Sequence, residues 1–481
     1  MNRRGATVRS SHDHTVSSGR LTTTNGTNNL NRSSNYKSIR RNKTTGQIVL
    51  LLGCGIALVA VYLTTVSFIL RLHHGSKNLD EVLTSTKTLR TTPPPPTNDN
   101  NDNNNNDPCN ATKAYQHWKD LTLSLAALPA SEALKRLETD DPFGTRAFEQ
   151  RLTAKETSLG RTLSLSEVQQ LFPCPTKCHQ RLTRLDKRNN HTLATRAFRQ
   201  AQPGTFLFFQ HLRKAGGTHF CSLAQANLPK SAVAKYYCMP DYEWSGWQGA
   251  GYLHHWNNSE ISRRMSQNGH RIAGNEWDTF DVQHHFELDG AIFATSFRKP
   301  LDRALSQFRF ECVENRGCKY KDVGKWWEHR TDLYNVYTLT FADPPKRFRL
   351  LKATYEDTTL AEEAEKRKEL MATAFDTVLR FNLVLVMEWL AYAGPQVQQV
   401  LGFNDTSVLT QRVRPHLGQA KREDGQEKNQ LGAAGITKAS WDPKEYLTAE
   451  QYQTMSQLLT LDTLLTDVAR RVFLERLVCG T

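Results

Sequence analysis

The chain has no Cys-x-x-Cys pair, and its histidines do not fall at zinc-finger spacing. A structural zinc site of the usual Cys/His kind is therefore not encoded in a recognisable form. The ATP-type phosphate loop, Gly-x4-Gly-Lys-Ser/Thr, is missing too, which argues against a P-loop kinase or nucleotide triphosphatase. Asp-x-Asp, a metal motif frequent in glycosyltransferases, is also absent. The nearest likeness, inside "NDNND", lies in "TTPPPPTNDNNDNNNNDP", a stretch without the apolar residues a core needs. That stretch reads as an extended spacer.

Charge is lacking over one further segment. Ile48 to Leu70 reads "IVLLLGCGIALVAVYLTTVSFIL", 23 residues without a single charged side chain. That is long enough to cross a bilayer and too long and too far from the N-terminus for the apolar core of a signal peptide. Arg40, Arg41 and Lys43 precede it, whereas Arg71 and Lys77 beyond it are soon offset by Asp80 and Glu81. The positive-inside rule then leaves the N-terminus in the cytosol and the bulk of the chain on the far side, a type II topology. The expected divisions are a disordered tail (1–47), a membrane anchor (48–70), a low-complexity stem (71–110), a helical extension (111–202) and a lumenal domain (203–481).

The chain of 481 residues carries a formal net charge of +14, but its first 47 residues hold nine Lys or Arg against one acid. Over half of the excess thus sits in the tail. The remainder is mildly basic, which excludes a nucleic-acid-coating protein and leaves an anionic substrate open. Eight of the nine cysteines follow the apolar segment: Cys109, Cys174, Cys178, Cys221, Cys238, Cys312, Cys318 and Cys479. An even number in an oxidising compartment points to disulfides. Cys174/Cys178 and Cys312/Cys318 are near enough in sequence to close local loops. Asn110, Asn190, Asn257 and Asn404 each open a glycosylation sequon on the same side.

Beyond residue 203, short apolar runs alternate with helical stretches: Thr205–Gln210, Arg271–Gly274, Ala291–Phe297 and Leu383–Met387. That alternation predicts an α/β fold, a parallel sheet flanked by helices. The first run leads into "HLRKAGGTHF", with a helix expected from about Thr218. A strand, a glycine turn and a helix start together form a phosphate cradle, because backbone amides at a helix N-terminus face an anion. Lys214 adds a charge and Thr218 a hydroxyl. A turn that simply needs glycine is the plainer alternative.

The third run, "AIFATSFRKPLDRALSQF", repeats the arrangement. Its strand ends at Arg298, and Pro300 suits the first turn of a helix. Arg303 and Ser306 follow, and Arg298 with Ser306 are spaced to converge on a second phosphate. Both segments would lie on the C-terminal edge of one sheet, where open α/β folds bind ligands.

These two segments together resemble Golgi carbohydrate sulfotransferases, among them the heparan sulfate 2-O- and 6-O-sulfotransferases. "HLRKAGGTHF" is similar to their 5′-phosphosulfate loop, "PKTGGTT" or "QKTGGTT". "FRKPLDRALSQF" is similar to their 3′-phosphate segment, "LRDPVSRYLSEW", with Pro, Arg and Ser two, five and eight residues after the first Arg. "LYNVYTLTF" (Leu333–Phe341) resembles the family's Asn-x-x-Thr segment, and the later strand ending in Glu388 and the C-terminal helix add weaker likeness over residues 203 to 477. Leu212-Arg213 before the lysine and His219 after the threonine depart from the usual forms.

The resemblance implies the donor 3′-phosphoadenosine 5′-phosphosulfate, a glycan or glycoconjugate acceptor, no metal and a Golgi membrane location. It assigns the 5′-phosphosulfate to the loop Arg213, Lys214, Ala215, Gly216, Gly217, Thr218 and His219, and the 3′-phosphate to Arg298 and Ser306. It further implies a base between the two segments. In "GHRIAGNEWDTF" a strand end presents Asn275 and Glu276, so Glu276 is the first choice, His270 the second, and His254 and His255 the third. Glu276 as a solvated acid or as a partner for a basic residue is the competing reading. His284 and His285 are expected at the surface, and Glu388 is expected to orient backbone or a basic group. Two rivals remain: a glycan-binding protein of the same fold without catalysis, and a type II glycosyltransferase.

Overall fold

The computed structural model describes residues 111–177, 180–182, 191–245, 253, 256–276, 279–314, 318–342, 360–410 and 442–480. The tail, the apolar segment 48–70 and the spacer lie outside these residues. Among the described residues, no helix is long and apolar enough to cross a membrane.

Five helices come first: α1 (Ala111–Ala127), α2 (Ala130–Thr139), α3 (Thr145–Leu159), α4 (Leu165–Leu171) and α5 (His191–Arg199). β1 (Phe206–Gln210) leads into α6 (Gly217–Asn227), and α7 (Asn258–Asn268) leads into β2 (Ile272–Asn275). β3 (Ala291–Phe297) is followed by α8 (Pro300–Phe308) and α9 (Val336–Ala342). α10 (Leu360–Arg380) precedes β4 (Leu383–Val386), and α11 (Gly394–Leu401), α12 (Ala449–Leu458) and α13 (Thr460–Cys479) complete the order.

The four strands form one parallel sheet in the order β2-β1-β3-β4. Their boundaries match the four apolar runs to within a residue. "FLFFQ" and "AIFATSF" are buried at every position, as strands covered on both faces must be. Alternation sorts them: Phe206, Phe208, Phe293 and Phe297 join one core, while Leu207, Phe209, Ile292 and Ala294 join the other. β1 and β3 are neighbours in register, Gln210 beside Thr295, so their C-terminal ends open onto the same edge.

The helices before the sheet share its cores: Trp118, Leu125 and Leu137 lie with Phe208, and Phe148 and Phe198 lie with Phe209. Arg367 of α10 donates to Ala126 O and Ala127 O, both at 3.0 Å, and so caps the last turn of α1. α13 is buried from Thr460 to Val478 except Thr463, and its charged side chains are paired inside: Arg471 donates to Glu475 at 2.7 Å and to Phe143 O at 3.0 Å.

The disulfides correct one expectation. Cys312–Cys318 is the local loop anticipated, but Cys174 bonds Cys479 across 305 residues and not Cys178. Cys221–Cys238 is the third bridge. Cys109 and Cys178 lie outside the described residues. His285 is a second correction: it is buried among Phe208 and Phe280, and its Nδ1 accepts from Asp281 N–H at 3.0 Å. His284 does lie at the surface, hydrogen-bonded to Asp281 at 2.7 Å.

Candidate functional site

After β1 the chain turns through His211 to Gly216, closed by Ala215 N–H to Leu212 O at 2.9 Å. Lys214 has φ +66° and Gly216 φ +98°, so left-handed residues stand on both sides of Ala215. For a residue with a side chain that conformation costs about 1 kcal/mol, and it persists where neighbours fix the backbone. β3 does the fixing. Ser296 donates its hydroxyl to Ala215 O, and the Arg298 guanidinium reaches Lys214 O at 3.5 Å. The first intrahelical bond of α6 runs from Phe220 N–H to Gly216 O, 3.0 Å. The amides ahead of it belong to the first turn, where the helix dipole favours an anion.

Gly216 is favoured by its φ of +98°, and side chains fill the space beside both glycines. A Cβ at Gly217 would fall 1.7 Å from His211 Nε2, and one at Gly216 would fall 2.1 Å from Met387 Sδ. The ends of β1 and β4 therefore pack directly against the loop, and the backbone stays bare where a phosphate would approach.

Three cations meet here. Lys214 Nζ lies 3.4 Å from the centre of the Phe310 ring, and the Arg213 guanidinium lies 5.4 Å from it. Burial lowers the Arg213 pKa from its ordinary value, with the charges of Glu276 and Glu311 opposing. Arg298 is the third. Phe310 follows α8 in a single π-turn, Arg309–Glu314. Ser306 lies in α8, half-buried. Thr218 and His219 occupy the first turn of α6, half-buried.

Glu276 directly follows β2, on the same edge as the loop. Its Oε2 is 3.9 Å from Nδ1 of His211, an ion-pair distance when the imidazole is protonated. His211 is 7 % exposed, stacks on Phe209 and packs against Gly217, so one ring links the strand end, the loop and Glu276. In the sequence, the place of His211 immediately after a buried strand and before the glycine turn is the signal that marks it.

His270 does not belong to this group. It precedes β2 and lies at the opposite end of that strand from Glu276, six residues or about 20 Å away along the extended chain. There its Nε2 is 3.2 Å from Glu243, and burial lowers its pKa, with Glu243 opposing. His254 and His255 lie outside the described residues.

Several other polar residues of the two segments are architectural. Arg303 is buried, donates to Leu333 O at 3.2 Å and faces the Tyr337 ring at 5.4 Å. Asn335 accepts from Asp462 N–H at 3.2 Å, and the Asp462 carboxylate accepts from Thr338 N–H at 2.9 Å and Tyr337 N–H at 3.1 Å. The Asn-x-x-Thr segment thus docks α13 against α9. Glu388 accepts from Lys299 N–H at 2.8 Å and lies 3.9 Å from Arg470, so it orients backbone and a cation. Glu149 of α3 binds Lys299 at 2.9 Å and Arg470 at 3.2 Å. Burial raises the Glu149 pKa, but Arg470 and Lys299 outweigh it and hold the carboxylate below its ordinary range.

No known protein family, no curated protein and no solved structure matches the chain.

Proposed function

We propose that the chain is a carbohydrate sulfotransferase. It moves a sulfuryl group from 3′-phosphoadenosine 5′-phosphosulfate to a glycan hydroxyl in the Golgi lumen, held to the membrane by residues 48–70. One observation carries the reading: two basic strand ends, Lys214 after β1 and Arg298 after β3, touch at one sheet edge beside a helix N-terminus and a carboxylate. A carboxylate-bearing edge suits an acceptor that must lose a proton, and a cationic loop suits a donor that leaves as a phosphate anion.

The parts divide the work as follows. The amides of Gly216, Gly217 and Thr218, with Arg213, Lys214 and the flanking Ala215 and His219, hold the 5′-phosphosulfate. Arg298 and Ser306 hold the 3′-phosphate. Glu276 takes the proton of the acceptor hydroxyl as its oxygen bonds to sulfur and the bond from sulfur to the phosphate oxygen breaks. Lys214 stabilises the charge that develops on that departing oxygen. His211 holds Glu276 on the loop side of the edge.

Titration of the detergent-solubilised full-length chain with 3′,5′-phosphoadenosine tests the donor assignment. Binding is expected to be the same with and without EDTA, with ATP a weak competitor. Loss of binding in EDTA, or equal competition by ATP, overturns it.

A further inference from the structure

The edge of β2 is covered by an irregular segment that carries two tyrosines, Tyr236 and Tyr237, with a third, Tyr242, in the short helix that follows. Arg271 N–H donates to Ala232 O at 2.8 Å and Gly274 N–H to Cys238 O at 2.7 Å, so residues 232–238 run along the strand. A Cβ at Gly274 would come within 3.0 Å of Cys238 O, so the approach requires glycine there. The segment ends in two consecutive left-handed residues with side chains, Tyr237 at φ +46° and Cys238 at φ +60°. The Cys221–Cys238 disulfide pins this turn to α6, four residues after Gly217.

The turn holds Tyr237 outward. It is 41 % exposed, and it alone is aromatic among the described large apolar residues at the surface. Behind it Tyr236 meets its ring edge-on at 5.0 Å, and Tyr242 stacks on Tyr236 at 4.7 Å. The result is a rigid aromatic shelf joined to β2 two residues before Glu276. Burial raises the Tyr236 pKa, and the negative charge of Glu276 adds to it, so the shelf and the carboxylate share one electrostatic neighbourhood.

We propose that Tyr237, backed by Tyr236 and Tyr242, is a binding subsite for a pyranose ring of the acceptor glycan. This rests on the sulfotransferase reading for the role of Glu276 but not for the binding itself. A pyranose presents a face of C–H groups that packs on an aromatic ring, while its hydroxyls project from the rim. A tyrosine held by a disulfide and a backbone ladder loses little freedom on binding, so a shallow contact yields usable affinity. A ring seated there extends toward Glu276, which takes the proton from a hydroxyl of that ring or its neighbour.

The test uses the full-length chain in detergent and two hexasaccharides. One is a β1,4-linked N-acetylglucosamine hexamer; the other alternates glucuronic acid with N-acetylglucosamine. Saturation-transfer NMR reads binding without donor, and labelled donor reads KM and kcat. Tyr237→Ala is expected to weaken binding and raise KM about three- to ten-fold, the scale of an aromatic stacking contact, with donor affinity unchanged. Tyr237→Phe, which keeps the ring face, is expected to restore both. If the parent binds a hexasaccharide in a Tyr237-dependent way but transfers no sulfate, the subsite stands and the enzymatic reading falls. If the parent transfers sulfate and Tyr237→Ala keeps the parental KM, or Tyr237→Phe is as impaired as Tyr237→Ala, the subsite falls and the enzyme stands. A parent that binds neither hexasaccharide also overturns the subsite.

Discussion

Lys214 answers two demands at once. Its backbone is left-handed, which turns the loop, and its ammonium rests on Phe310, within the loop and not in bulk water. Arg298 supports that backbone from β3. Removing a charge-assisted contact to a phosphate costs about 1.5–3 kcal/mol. Arg298→Ala should therefore weaken binding of 3′,5′-phosphoadenosine by about one to two decades, at 1.4 kcal/mol per decade. Ser306→Ala, which loses a neutral contact, should cost less than one decade. A folded Arg298→Ala protein with parental affinity would remove the 3′-phosphate role. Glu276, proposed as the base for the acceptor, calls for a different outcome. Glu276→Gln keeps the size of the side chain but cannot accept a proton at neutral pH, so turnover should drop by about 10²- to 10⁴-fold. Donor affinity should barely change. Near-parental turnover in Glu276→Gln would transfer the base to another group, and His211→Asn assayed beside it would show whether the neighbouring imidazole is that group.

At the scale of elements, α13 is the helix on which the rest is hung, and its buried acids make that docking depend on pH. Asp462 caps the start of α9 with three accepted bonds, to Thr338 N–H, Tyr337 N–H and Thr338 Oγ1. Burial nonetheless pushes its pKa up to about 6, with Arg303 opposing. Between about pH 4 and pH 6 the folded state thus holds a proton that the unfolded chain has released. The stabilising effect of that proton is complete below about pH 4 and is lost as pH rises through about 6. Two units correspond to roughly 3 kcal/mol. Urea midpoints across pH 4–6 should consequently show a shallower decline with rising pH in Asp462→Asn than in the parent; parallel curves would refute the assignment. The strands were legible because parallel strands buried on both faces need continuous apolar runs, and these four runs are bounded by glycine and charge. The loop was legible because glycine and lysine interrupt such a run abruptly. His270, the second choice of base, precedes β2, so the order of residues alone puts it at the edge away from the loop. Arg303 and Asn335 could not be told from ligand-facing residues, since their burial depends on α13, more than 100 residues further on. His285 failed for the same reason, its cage being built from Phe208, Phe280 and their neighbours.

For the molecule as a whole, the segment ahead of the sheet is tied to the end of the last helix. Cys174, between α4 and α5, is bonded to Cys479, the last residue of α13, and the loop so closed contains the entire sheet and both basic strand ends. Around this bond the packing is already dense. Gln169 of α4 donates to Val478 O at 3.3 Å, Leu182 N–H donates to Glu475 at 2.8 Å, and Arg471 donates to Gln180 O at 2.7 Å. The bridge therefore acts less by creating contacts than by limiting the unfolded chain, and a loop of this length is where that restriction is large. Removing a native disulfide typically costs about 2–5 kcal/mol. Cys174→Ser with Cys479→Ser should lower the guanidinium midpoint of the full-length chain correspondingly. Because the contacts that shape the loop after β1 come from β3, β4 and His211, donor affinity below the midpoint should stay parental. An unchanged midpoint would mean that the packing of α4 against α13 alone closes the fold. A donor affinity lost together with the bridge, in protein that remains folded, would mean that the sheet edge takes its shape from the bridged segments and not from the strands beside it.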